Sequence, residues 1–286
     1  MSVAPSLVAL RDHIRRIERP NALRHGVLPF GVAAIDDALP GGGLALGALH
    51  EILGSGPDEE DGAAAAAFVA GIVGRIGAPA ANPLHKQWEA AGSGIVLWCL
   101  KRGDLYGPGL AEHGLDPARI AQVTAPRDDD ILWALEEGLR TPHSLGGIAA
   151  VIGEVGRLPM VAGRRLQLAA ERSGIPALLL RRWRNAAEAA AERIRPSAAV
   201  TRWRIAALPS LPDVEFVDTP GPTRLIGQPR WRVELLRCRG AEPAAWDVEV
   251  ADASGLVHLS AGLADRPPAP RRLAAAVEPA RWRAVG

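Results

Sequence analysis

Residues 51–67, EILGSGPDEEDGAAAAA, are the stretch whose residue types bear most directly on chemistry. A short apolar run at 48–53 leads into a glycine-bearing loop and then into an alanine-rich helical pattern. Strand, loop and helix start in that order form the arrangement in which backbone N–H groups cradle phosphate. Such a cradle also needs a lysine for the β- and γ-phosphate charge and a hydroxyl for magnesium. Gly54 and Gly56 can support the turn, but Glu59 and Glu60 stand where a Gly-Lys pair would lie, and Ala63 opens a run with no hydroxyl. A carboxylate a few ångströms from a triphosphate is repelled by about 1 kcal/mol at the dielectric of water, and by several at an effective dielectric of ~20. The acids also have a reading that needs no ligand: Asp58, Glu59, Glu60 and Asp61 cap the helix and complement its dipole.

Other chemistry finds little support. The seven histidines are scattered without ligand spacing, and no Ser/His/Asp or Cys/His arrangement stands out. Cys99 and Cys238 sit in apolar runs and read as structural thiols of a reducing cytoplasm. Arg-Trp-Arg occurs four times, centred on Trp183, Trp203, Trp231 and Trp282. In a strand, alternation sends the Trp to the core and both arginines to the other face, which is the reading for Trp203 and Trp231.

The elements that must position these residues follow from periodicity. Residues 6–19 place Leu7, Leu10, Ile14 and Ile17 on one helical stripe too narrow to form a core alone, so this helix is expected to dock on something else. Helices are predicted over 32–39, 63–76, 105–113, 128–140 and 162–173, the fourth opened by three aspartates. Apolar runs at 94–100, 147–152 and 175–180 and a shorter strand at 120–124 alternate with them. That alternation implies a parallel α/β sheet with helices on both faces. Beyond residue 200, strand-like runs at 200–208, 230–238 and 246–251 lack helices between them and read as antiparallel additions. The expected organisation is an N-terminal helix and linker (1–25), a core (26–261) and a proline- and arginine-rich tail (262–286).

A chain of 286 residues that is 48% hydrophobic can bury one large core. Its longest apolar run, about 63–73, is short of the ~20 residues that span a bilayer, and residues 1–20 lack a signal-peptide pattern. The net charge of +1 hides an asymmetry: residues 1–156 carry 12 Lys+Arg against 19 Asp+Glu, whereas 157–286 carry 21 against 13, all 21 being Arg. A basic half suggests an anionic or acidic partner.

The order of these segments resembles the RecA recombinase core. FGVAAIDDALPGGGLALGALHEILG is similar to the approach to its phosphate loop, LWCLKRGDLYGPGLAEHGLDPARIAQV to the next segment, IAAVIGEVGRL to the Walker B strand, and RRLQLAAERSGIPALLL to the helix and strand that follow. Size and motifs together most resemble the ImuA family of a bacterial damage-inducible mutagenesis cassette, over about residues 26–260.

The resemblance implies a RecA-like core with antiparallel C-terminal strands, and the departures from it imply lost catalysis. Besides the altered loop at Gly54, Gly56, Glu59 and Glu60, the Walker B position holds Gly153, and Glu154 follows one place later on the opposite strand face. Lys101 and Arg102 stand where the activating acid would be, and Arg181 and Arg182 replace the polar sensor. The expectation is a cytoplasmic pseudo-ATPase that takes no cofactor or metal and acts as an accessory factor in SOS-induced, error-prone translesion synthesis.

By the same resemblance its partner is ImuB, a Y-family polymerase homologue linked to the sliding clamp and a C-family polymerase, with RecA and single-stranded DNA as further candidates. Arg182, Trp183, Arg184, Arg193 and Arg195 fall in the segment similar to the second DNA-binding loop of RecA, where guanidinium groups and an exposed ring would suit phosphate contact and base stacking. Leu7, Leu10, Ile14, Ile17 and the tail triplet Arg281, Trp282 and Arg283 are the candidate protein-binding residues. Two alternatives remain open, an active ATPase with an unorthodox loop and a cell-division inhibitor resembling SulA.

Overall fold

The computed structural model describes residues 24–76, 94–141, 147–183, 185–210, 229–250 and 257–259. Two short strands that the sequence reading did not include, β1 (Val27–Leu28) and β2 (Leu44–Ala45), pair with each other, and the apolar runs become β3 (Leu49–Gly54), β4 (Ile95–Leu100), β5 (Ile120–Thr124), β6 (Ile148–Val155) and β7 (Ala177–Arg181). The C-terminal third adds β8 (Thr201–Leu208), β9 (Arg230–Cys238), β10 (Ala244–Val250) and β11 (Val257–Leu259). Helices are α1 (Ala33–Asp36), α2 (Ala63–Gly74), α3 (Gly107–Glu112), α4 (Asp128–Arg140), α5 (Met160–Ser173) and α6 (Ala186–Arg193).

Nine strands form one sheet in the order β11-β10-β9-β8-β3-β7-β6-β4-β5. From β5 to β8 every pairing is parallel, and β8 to β11 pair antiparallel. This is the α/β arrangement that the alternating pattern predicts, because parallel strands need helical crossovers and hairpins do not. All five residues of β7 are buried, as a strand covered on both faces requires.

Two apolar clusters lie on opposite faces of the sheet. One gathers Ile52, Trp98, Leu180 and Trp203 under α2, and the other gathers Leu49, Cys99, Val151 and Leu179 under α4 and α5. Helix α2 is buried nearly all round, from Ala64 and Ala65 to Val73, because β8, β3, β7 and α3 all pack against it. Trp203 and Trp231 are core residues as alternation dictates, Trp203 tilted against Phe30 and Trp231 edge-on to Phe68 at 5.4 and 6.5 Å between ring centres. The flanking arginines on the other face are ion-paired: Arg204 with Glu234, and Arg232 with Asp247 at 3.0 Å.

Three details depart from the sequence reading. Strand β6 runs to Val155 rather than ending at residue 152, because Glu154 is buried with its polar atoms satisfied. Strand β11 arises by pairing with β10, a long-range contact that three residues of local sequence do not signal. The acids before α2 make no side-chain cap: its first turn is a π-helical turn at Asp58–Gly62 preceded by Pro57. They still lie at the positive end of the helix dipole, but Asp58 and Asp61 are drawn to other partners.

His50 is fully buried in β3, with Nδ1 2.7 Å from Thr201 Oγ1 and Nε2 2.8 Å from the Ala45 carbonyl. Burial pushes its pKa down to about 4, against a smaller opposing pull from the Ala45 carbonyl. The folded form therefore binds fewer protons than the unfolded chain between pH ~6.5 and ~4, and stability is lost as pH falls through that window. Urea unfolding is expected to show a loss of about 3 kcal/mol across it from this group, and His50→Gln should flatten that part of the profile.

Candidate functional site

The carboxyl ends of the parallel strands surround a cavity of about 510 Å³ lined by Asp58, Glu59, Lys101, Arg102, Glu154 and Arg182, with Trp183 on its wall. In open α/β sheets, the carboxyl edge is where ligands bind. Here the polar groups are largely bonded to one another.

Arg182 sits at the centre. Its Nε and Nη2 donate to Asp58 at 2.8 and 2.6 Å, Nη1 donates to Glu154 at 2.6 Å, and both Nη atoms reach Asp104 at 3.0 Å. Burial pulls the guanidinium pKa down, but the bonds to Asp58, Asp104 and Glu154 outweigh it and hold it above the ordinary arginine value. The Asp104 carboxyl is lowered chiefly by its hydrogen bond to Arg182, while that of Glu154 is raised because burial exceeds the help it receives. The second oxygen of Glu154 accepts the Trp98 indole N–H at 2.9 Å. Lys101 pairs with Asp128, which also accepts from the Arg157 amide at 2.9 Å.

The loop N–H groups are spent as well. Gly56 donates to Asp61 Oδ2 at 2.6 Å, and the other Asp61 oxygen accepts from Ala207 at 2.8 Å. Ser55 donates to the Ile205 carbonyl and Asp58 to that of Trp183. An acid at position 153 would enter the apolar cluster under α4, where a Cβ would lie 2.4 Å from Leu135 Cδ1 and force that side chain to move. Glu154 faces the opposite side, as strand alternation requires.

Behind this hub lies a second one that sequence reading missed. Arg181 is 4% exposed; it pairs with Glu51 at 3.2 Å and Glu192 at 2.7 Å, and donates to the Gly156 carbonyl. Arg202 joins Glu51 at 2.9 Å and donates to the carbonyls of Glu192, Arg193 and Arg195, closing the end of α6. A glutamate inside the apolar run of β3 was the available signal, since a buried carboxylate requires a cation.

The predicted nucleic-acid residues are dispersed by this arrangement. The Trp183 ring is 3% exposed, not open for stacking; its N–H donates to Gly156, and the Arg181 guanidinium lies 5.6 Å from its centre. Its burial follows from the packing of Trp183 with Leu53 and Ala189 beneath α6. Arg182 is engaged by three carboxylates. Arg195 is exposed and Arg193 half-buried, and Arg184 lies outside the described residues. So do Leu7, Leu10, Ile14, Ile17, Arg281, Trp282 and Arg283. Both cysteines are free and buried, and burial pushes the thiol of Cys99 up to about 12 and that of Cys238 to about 11. Among the described residues no helix is long and apolar enough to cross a membrane, and no cluster of His, Cys, Asp and Glu could hold a metal ion.

Sheet and site together define an α/β protein whose carboxyl-edge cavity is neutralised by its own side chains. No family model matches the chain. It is 39% identical over 234 residues to Protein ImuA of Caulobacter vibrioides, in strain NA1000 / CB15N and in strain ATCC 19089 / CIP 103742 / CB 15, covering 81% of this chain and 86% of that protein. The chain belongs to the ImuA family.

Removing the cation from this hub leaves buried carboxylates unpaired. Arg182→Met is expected to cost about 2–4 kcal/mol in urea unfolding, somewhat below a fully buried pair because the side chain keeps some solvent contact. Adding Glu154→Gln to that variant should recover part of the loss.

Proposed function

We propose that the chain is a non-catalytic accessory protein of SOS-induced, error-prone translesion synthesis, working in the cytoplasm by binding. Family membership supports the pathway. The observation that carries the loss of catalysis is the pairing of Arg182 with Asp58 and Glu154, beside an Asp61 carboxylate seated on the Gly56 N–H.

On a RecA-like reading of the sheet, magnesium triphosphate would sit on this loop. The residues present do not fit it. Asp58 and Glu154 have both oxygens committed, the Gly56 amide is bonded to an internal anion, and no lysine or hydroxyl follows in residues 58–63. The internal carboxylates take the place of phosphate charge, and Arg182 takes the place of the metal. A second shape driven by nucleotide then has no energetic source, because a ligand shifts an equilibrium only by its differential affinity.

The partner in this proposal is ImuB, through which the chain connects to the sliding clamp and a C-family polymerase. Single-strand binding through Trp183 is disfavoured by the burial of its ring, and any such contact would fall to Arg193 and Arg195.

Titration with labelled ATP and magnesium is expected to show no saturation below millimolar; micromolar affinity would overturn the non-catalytic reading. Co-purification with the ImuB-like protein of the same cassette is expected to yield a stable complex. Its absence, with both chains folded, would remove the accessory reading.

A further inference from the structure

Three large apolar side chains stand open to solvent on α4 and α5: Trp133 at 64%, Val161 at 71% and Leu168 at 52% exposure. The two helices pack side by side on the same face of the sheet. Asp128, at the start of α4, accepts the Arg157 amide just before α5, and Glu136 pairs with Arg165, so positions 29 apart in sequence lie level. Trp133 is therefore level with Val161 to within a residue. Leu168 is level with Leu139, and both line a groove of about 430 Å³ toward the C-terminal ends of the two helices. The face thus holds two apolar spots seven residues apart, as Val161 and Leu168 are, or about 10 Å along the axes.

Charge does not choose what covers them. Asp129, Asp130 and Glu137 flank Trp133 on α4, whereas Arg164, Arg165 and Arg172 flank Leu168 on α5, and Arg140 is paired with both Glu136 and Glu137. The path of the chain does choose. His25 lies against the C-terminal end of α5, its Nε2 2.8 Å from the Glu171 carbonyl oxygen and its ring against Gly174. Arg172 and Ser173, between those two contacts, line the groove. The described residues therefore begin, at 24, beside the mouth of the groove. Residues 20–23 connect that point to segment 6–19, whose stripe of Leu7, Leu10, Ile14 and Ile17 is too narrow to form a core alone. Leu7 and Ile14 are seven residues apart, and so are Leu10 and Ile17, which matches the spacing of the two apolar spots. As a helix the segment is about 21 Å long, the length of α4 and α5. So short a tether gives it an effective concentration on the order of millimolar, which a separate chain, a second copy included, does not match in dilute solution.

We propose that segment 6–19 folds back in cis onto the α4/α5 face as a helical strap, with residue 19 at the groove and residue 6 toward the start of α4. Ile14 and Ile17 fill the groove beside Leu139 and Leu168, and Leu7 and Leu10 cover Trp133 and Val161. Its four arginines, Asp12 and Glu18 bring both signs of charge to a face that carries both. The stripe is then committed to the molecule itself, and a partner that uses either the stripe or this face must first displace the strap. The inference stands independently of the accessory reading.

The test places a photoreactive benzoylphenylalanine at position 133 or 168 of the purified full chain, in an equal mixture of isotopically heavy and light copies. Both positions are exposed, so the substitutions leave the core intact, which circular dichroism checks. The expected result is crosslinks into segment 6–19 from both positions, joining only light to light or heavy to heavy. Position 133 reaches the end holding Leu7 and Leu10, and position 168 the end holding Ile14 and Ile17. Ile14→Asp combined with Ile17→Asp should cut the yield from position 168 about tenfold, whereas Arg16→Ala, on the polar side of the stripe, retains it. Crosslinks that join heavy to light copies, or that run in the reverse order, would overturn the proposal. So would their absence from either position, or a yield indifferent to the two aspartates.

Discussion

Arg181 ends a strand buried on both faces and Arg182 follows it, and the carboxyl edge of the sheet is organised around neutralising the two. Alternation along the chain sends Arg181 and Arg182 to opposite sides. On one side Arg181 meets Glu51 and Glu192; on the other Arg182 meets Asp58, Asp104 and Glu154. Each guanidinium ties together segments far apart in sequence, so the loop after β3, the ends of β4 and β6 and the helix α6 are held by the same two residues. Removing a buried charge from a low-dielectric site strands its partners, and that asymmetry makes these pairs obligatory once formed.

Such pairs contribute less to net stability than their Coulomb energy suggests, because desolvation offsets much of it. The apolar clusters on the two faces supply the larger driving force, with Trp98 and Trp203 wholly buried in one of them. What the ion pairs contribute is geometry. They fix where the loop at 55–62 lies, in which the Ser55, Gly56 and Asp58 amides are bonded within the chain. A cavity of this kind behaves as a filled site with the chain as its own ligand.

Exposed features then gain weight as sites of function. Arg204 of β8 and Arg232 of β9 are paired with acids on neighbouring strands, which occupies them, and Trp183 is inside. On α4 and α5, by contrast, Trp133, Val161 and Leu168 are open to solvent.

Much of the fold was legible in local sequence. The alternation of apolar runs with helical patterns gave a parallel α/β sheet with antiparallel additions, and period-two alternation placed Trp203 and Trp231 in the core. The altered loop residues and the shift from position 153 to Glu154 were also readable, since they depend on residue type and strand parity alone. Partnership was not. Asp58 to Asp61 read as a cap because capping is local, whereas in the fold Asp58 finds Arg182 and Asp61 reaches Ala207, both more than a hundred residues away. Trp183 read as exposed because its segment resembles a DNA-binding loop; only packing against Leu53 and Ala189 buries it. Sequence by itself determined most of the elements, their parity and the residue types at the loop after β3, because those follow from spacing and composition. Tertiary structure decided which charges meet, because burial and long-range pairing depend on how the sheet brings distant strand ends to one edge.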